Sequence, residues 1–304
     1  MTVGRFAPSP TGRMHLGNVF AALLSWLSVR SVGGRFLLRM EDLDPQRSRP
    51  EYADQLRRDL EALGLDWDAE QPPQSERTAA YAARFAALED RGLVYPCYCS
   101  RDALHAASAP HGTDGTPIYP GTCRNLTPEQ IREKARFRTP AYRLKVPDRD
   151  VTFTDRLQGT ITENLARDCG DFVLRRSDGL FGYQLACVTD DIASGVTEIV
   201  RGRDILTATP RQIYLYECLG ETPPTYIHIP LLTDSQGRRL AKRDKDLGIS
   251  TLSKRFSPEE ILGALAYASH LTDHAKPVTL NELIPDFDWD RIPKEEIRLP
   301  ESLA

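Results

Sequence analysis

Arg5-Phe-Ala-Pro-Ser-Pro-Thr-Gly-Arg-Met-His-Leu-Gly-Asn18 overlaps a short strand-like run, Val3 to Ala7, and leads into a segment whose apolar residues recur at Val19, Ala22, Leu23, Trp26 and Leu27. That recurrence is helical, so the stretch predicts strand, turn, helix. A helix start presents unpaired backbone N–H groups and the positive end of the macrodipole, which suits a turn carrying Gly12, His15 and Gly17 to phosphate. His15 adds a hydrogen-bond donor, and Gly17 and Asn18 lie where the backbone can come close to a ligand.

The same alternation of strand and helix signals continues along the chain, the pattern of an α/β protein with a doubly wound parallel sheet. Arg35 to Met40 reads as a strand; Glu51 to Leu63 and Thr78 to Arg91 read as helices stopped by Gly64 and Gly92. The alternation then breaks. Cys97 to Asp171 reads as an insertion, with a Pro- and Gly-rich loop first and strand-like runs at Ala141 to Val146 and Val151 to Asp155. Beyond it come a helix at Tyr183 to Ala193, a buried strand at Thr197 to Val200, a helix at Pro210 to Leu219 capped by Gly220, and a last strand at Tyr226 to Leu232. In such sheets ligands sit at the carboxyl ends of the strands, where Arg5, Glu41, Arg201 and the loop with Lys242 are expected to converge. Asp42 and Asp44 are expected to cap and brace the turn at Pro45.

A length of 304 residues suits about two domains, and a charged fraction of 27% with no apolar run long enough to span a bilayer fits a cytoplasmic protein without a leader or membrane partner. The net charge of −4 argues against nucleic-acid binding over the whole surface. RNA contact would have to come from local patches, Arg136, Arg138, Arg143 and Lys145, or Arg238 to Lys245. Reduced thiols are expected in that compartment, so Cys97, Cys99 and Cys123 read as a zinc site, with His105 or His111 available as a fourth ligand; Cys169, Cys187 and Cys218 read as small core residues.

Four ordered motifs carry a resemblance: the Ala7 to Asn18 turn, Arg39-Met-Glu-Asp-Leu-Asp44, Gly195-Val-Thr-Glu-Ile-Val-Arg-Gly202, and Arg239-Leu-Ala-Lys-Arg243. Together they resemble the glutamyl and glutaminyl branch of the class I aminoacyl-tRNA synthetases. The resemblance implies a Rossmann-type catalytic domain over residues 1–96 and 172–245, an inserted zinc-containing subdomain over 97–171, and a short helical C-terminal appendage over 246–304. About sixty residues after Arg243 are too few for the family's anticodon-binding module, so the layout is most similar to the truncated group that joins glutamate to queuosine in the anticodon of tRNA(Asp).

Carried onto this chain, the resemblance implies ATP-dependent activation of L-glutamate without tRNA, then transfer to queuosine, by a monomer. It assigns Arg5, Arg201 and the Tyr183 hydroxyl to the substrate's side-chain carboxylate, Glu41 to its ammonium group, and Ala7 and Ser9 to its backbone end. ATP, with Mg²⁺, would lie on His15, Gly17, Asn18 and Lys242, with His15 and Lys242 catalytic. It also favours Tyr119 beside Cys97, Cys99 and Cys123 on one structural zinc ion per chain. Ala241 departs from the serine common before the functional lysine. A compact synthetase charging the acceptor end of tRNA(Glu) is the second reading, disfavoured by Cys187 where glutamyl enzymes tend to place asparagine. A non-catalytic RNA- or zinc-binding descendant is the third.

Overall fold

The computed structural model describes residues 1–100, 118–234, 237 and 248–299. Parallel strands β1 (Val3–Phe6), β2 (Arg35–Arg39) and β3 (Ala69–Gln71) lie in the order β1-β2-β3. A second parallel pair, here β4 (Glu198–Gly202) and β5 (Thr225–Ile229), runs beside β1 on its other side, where the Thr197 N–H donates to the Val3 carbonyl at 2.9 Å. The strand order thus reverses between β1 and β4, the crevice where doubly wound sheets bind ligands.

Helix α1 (Leu16–Arg30) is buried nearly all round, including Phe20, Leu24 and Val29 outside the expected stripe. The reason lies at the other end of the chain. Leu262, Leu265, Trp289 and Leu299 share one apolar core with α1, and Trp289 Nε1–H donates to Ser28 Oγ at 3.0 Å. A helix covered on both sides has no need of a polar face. Close packing also explains Gly4: a Cβ there would come within 2.4 Å of Val29 Cγ2.

Helices α2 (Pro50–Ala62), α3 (Thr78–Asp90), α4 (Tyr183–Ala193) and α5 (Thr209–Leu219) fall within one or two residues of their sequence-based ranges, because glycines in left-handed conformation at Gly64, Gly92 and Gly220 follow three of them. The last strand is shorter than expected: Thr225–Ile229 ends at Pro230, and Leu232–Thr233 is a separate strand paired in parallel with Ile297–Arg298. Between α3 and α4, strands Val94–Cys97, Ala141–Leu144 and Phe172–Arg175 form an antiparallel sheet, and Asp150–Asp155 with Gly159–Asn164 forms a hairpin.

Gly4→Ala is expected to cost about 1–3 kcal/mol, the usual range for overpacking a tight contact, read from the midpoint of urea unfolding. An unchanged midpoint would mean that Val29 can turn aside.

Candidate active site

The first-motif turn is fixed by its neighbours. The Glu41 N–H donates to the Pro8 carbonyl at 2.9 Å and the Arg49 N–H to the Pro10 carbonyl at 3.0 Å, pinning the turn to the end of β2 and the start of α2. His15 is the N-cap of α1: its Nδ1 accepts the Gly17 N–H at 3.1 Å, while Asn18 Oδ1 accepts the His15 N–H at 3.2 Å. With Nδ1 accepting, the neutral ring carries its proton on Nε2, as a donor. A Cβ on Gly17 would stand 3.0 Å from this imidazole, so the glycine lets the histidine fold over the helix start.

Beside the turn lies a buried charge cluster. Asp191 Oδ1 accepts from Arg39 Nη1 at 2.6 Å and from Arg5 Nε at 3.5 Å, and Arg39 Nη2 donates to Glu41 Oε1 at 3.0 Å. Burial pushes the Asp191 carboxyl up, but Arg39 and Arg5 outweigh it and hold the group below its ordinary value. Burial dominates at Glu41 and leaves its carboxyl above the ordinary range despite Arg39 and Arg5. An approaching ammonium group would favour its ionised form. Burial also raises the Tyr183 hydroxyl well above its ordinary value, keeping it a donor. Two guanidiniums, Arg5 and Arg39, thus stand with two carboxylates, Asp191 and Glu41.

Arg201, on β4, is 5% exposed. Its Nε donates to His228 Nε2 at 2.9 Å and its Nη2 to Thr209 Oγ1 at 2.7 Å; Nη1 is buried with no partner among the described residues. His228 in turn meets Asp155 Oδ2 through Nδ1 at 2.6 Å.

A cavity of about 420 Å³ joins these parts, and its lining includes Arg5, Ala7, Ser9, His15, Gly17, Asn18, Glu41, Tyr183 and Arg201. Lys242, with Ala241 and the basic run from Arg238 to Lys245, lies outside the described residues. Both flanks of that segment are at the cavity: Leu232 lines it, and Gly248 makes an antiparallel bridge to His15. Asp44 braces its turn by accepting the Gln46 N–H, whereas Asp42 reaches away to accept from the Ser75 N–H and hydroxyl at 2.9 and 2.6 Å. The first basic patch divides. Arg136 and Arg138 are exposed, with Phe137 between them 84% exposed. Arg143 is buried over the Tyr119 ring at 3.8 Å, and Lys145 donates to the Gly92 carbonyl.

The Sγ atoms of Cys97, Cys99 and Cys123 lie within 4.8 Å of one another, an arrangement that could hold a metal ion such as zinc. Tetrahedral thiolates at about 2.3 Å from zinc stand about 3.8 Å apart; Cys99 and Cys123 are at 3.7 Å. Tyr119 Oη is 3.4 Å from Cys97 Sγ and 3.9 Å from Cys99 Sγ, and accepts the Cys123 N–H at 2.8 Å. His105 and His111 lie outside the described residues. Cys169, Cys187 and Cys218 are buried.

Residues 1–290 match the family described as tRNA synthetases class I (E and Q), catalytic domain. The Glutamyl-Q tRNA(Asp) synthetase of Symbiobacterium thermophilum is 50% identical, with 100% of this chain and 98% of the relative covered. The chain belongs to this family, the glutamyl-Q tRNA(Asp) synthetases. The Nitratidesulfovibrio vulgaris member is 48% identical over 98% of this chain and 92% of its own. Among solved structures, a glutamate tRNA ligase from Elizabethkingia meningosepticum in complex with its amino acid superposes with a TM-score of 0.84 at 26% identity, covering 99% of this chain and 68% of that one. No described helix is long and apolar enough to cross a membrane.

Reading from sequence missed Arg39, Asp191, Thr209, His228 and Asp155. Two signals were there. Tyr183, Cys187 and Asp191 are spaced i, i+4, i+8 and so share one face of α4, and Arg39 and Glu41 are spaced i, i+2 at the end of β2.

Burial, with Arg201 alongside, lowers His228 to about 4 against the pull of Asp155 and Asp204. The unfolded chain binds this proton near pH 6.5. Stability is therefore expected to fall as pH drops from about 6.5 towards 4, by roughly 3 kcal/mol at most. Urea unfolding at stepped pH measures it, and a His228→Gln variant should lose that part of the slope.

Proposed function

We propose that this chain activates L-glutamate with ATP in the cavity between the first-motif turn and the charge cluster, then passes the glutamyl group to queuosine in the anticodon of tRNA(Asp). The observation that carries the reading is that two buried guanidiniums, Arg5 and Arg201, line one cavity, and Arg201 Nη1 has no partner there among the described residues. A carboxylate side chain would meet these guanidiniums as their natural partner, while the amide of glutamine would bring them no charge. Arg5, Arg201 and Tyr183 would hold the side-chain carboxylate, Glu41 the ammonium group, and Ala7 and Ser9 the backbone end. Membership of a family whose relatives bear the name Glutamyl-Q tRNA(Asp) synthetase supplies the acceptor.

The chemistry needs no protein nucleophile. The α-carboxylate oxygen attacks the α-phosphorus of ATP, the bond to the β-phosphate oxygen breaks, and pyrophosphate leaves. His15, Gly17 and Asn18 at the start of α1 would receive the phosphates from one side and Lys242 from the other. Mg²⁺ bound with ATP would spread the phosphate charge. Positioning and charge compensation then account for the catalysis. Every group assigned to glutamate comes from the protein itself, which supports activation in the absence of RNA. Residues 1–96 and 172–245 would form the catalytic unit, 97–171 the insertion and 246–304 the C-terminal part. Exposed Arg136, Phe137 and Arg138 offer cations and a stacking ring to RNA.

Cys97, Cys99, Tyr119 and Cys123 would hold one zinc ion, closing a four-ligand site that leaves no position for chemistry. Their mutual distances support that set. The ion's role would be to fix the loop at the start of the insertion.

Glutamate-dependent exchange of labelled pyrophosphate into ATP is expected without tRNA, and label from glutamate should end on the anticodon fragment of tRNA(Asp). Label at the acceptor end of tRNA(Glu) would reject the acceptor assignment. His15→Ala and Lys242→Ala should each slow exchange about 10²–10³-fold, the loss typical of a donor aimed at transition-state charge. Near wild-type exchange by either would remove that residue from the machinery.

Protein purified without chelator should contain one zinc per chain. Cys99→Ser is expected to reduce it with exchange largely retained, whereas full metal content in Tyr119→Phe would exclude the tyrosine as ligand.

A further inference from the structure

The buried arginines at and behind the cavity are held in two different ways. Arg39 is held by carboxylates, Asp191 and Glu41, which neutralise it. Arg201 is held along its Nε–Nη2 edge by a ring nitrogen and a hydroxyl, both uncharged. A neutral acceptor fixes the guanidinium plane without consuming its charge.

His228 can serve so only as the Nδ1–H tautomer, because Nε2 must offer its lone pair to Arg201. Asp155 enforces this. Its carboxylate accepts from His228 Nδ1 at 2.6 Å, and is itself fixed by the N–H groups of Leu157, Gln158 and His228 at 3.0, 2.9 and 3.1 Å. A proton on Nε2 would face the Arg201 Nε–H and the Thr209 hydroxyl, so the network itself resists charging. His228 also stands opposite Arg201 in the β4–β5 register, and both His228 and Asp155 are fully buried.

We propose that His228, fixed by Asp155, is a positioning residue for substrate selection: by holding Arg201 through a neutral nitrogen it makes the cavity favour a carboxylate side chain over an amide. This rests on Arg201 facing the glutamate side chain, as proposed above. A guanidinium free to swing could find other acceptors when a neutral side chain binds, and the penalty against glutamine would shrink. Locked in place, with Nη1 aimed at no protein acceptor among the described residues, it cannot relax.

The test is RNA-free pyrophosphate exchange with glutamate and with glutamine. His228→Phe keeps a ring but offers no acceptor, and is expected to raise KM for glutamate about 10–100-fold and to erode glutamate preference comparably, with KM for ATP and kcat within about threefold. His228→Gln, which restores an acceptor, should recover most of the loss. A drop in kcat alone, equal changes in both KM values, an unmoved preference, or a Gln variant as impaired as Phe would overturn the proposal. Should the Phe variant not fold, Thr209→Val removes the other neutral acceptor: KM for glutamate should rise about three- to tenfold, and no rise would be equally fatal. Arg201→Met separates the two claims. If it keeps wild-type selectivity, the assignment of Arg201 fails; if it loses selectivity and the His228 variants do not, only the positioning role fails.

Discussion

A single buried carboxylate, Asp191, sets where two guanidiniums can sit, and the cavity beside the first-motif turn is arranged around that constraint. Removing three charges from water costs several kcal/mol each unless their geometry is tight, and the geometry here is tight because Asp191 stands on a helix fixed from behind. The adjacent Asp190 accepts from Arg77, Gln74 and Tyr81, tying α4 to α3 and the turn before it. One helix thus spends two neighbouring acids in opposite directions. Cys187, one turn before Asp191, donates to it at 3.4 Å and keeps its proton, burial having raised the thiol to about 12.

The chain around the three clustered cysteines is stabilised differently. Tyr95, Cys97, Tyr119 and Cys123 form an apolar cluster separate from the larger cores, with Tyr98, Cys99 and Leu126 packed against it among the described residues. So few side chains cannot offset the ordering of the chain around them. That is the setting in which a metal ion contributes most.

Much of the sheet was legible because α/β punctuation is local: Gly64, Gly92 and Gly220 mark helix ends, and the short runs Val3 to Ala7 and Thr197 to Val200 mark strands. What escaped had weak local signals. Ala69–Gln71 is a polar strand of three residues, and Gly159–Asn164 is rich in threonine and, among the described residues, pairs only with its own hairpin partner. Pro128–Ala135 buries no side chain, although Thr127 and Gln130 form a capping box readable in advance. The cavity's direct lining followed from motifs. The supports of Arg5 and Arg201 did not, since Asp191 and His228 meet them only across long sequence separations.

The chain carrying Lys242 leaves from Thr233 and returns at Gly248. Its departure is fixed by pairing with Arg298, fifty residues beyond the return point, and its return by the Ile249 N–H donating to the Met14 carbonyl. Strand Ile297–Arg298 is not part of the cavity lining, yet its pairing holds Leu232, which is, so a change at Ile297 would reach a wall of the cavity without touching anything bound there.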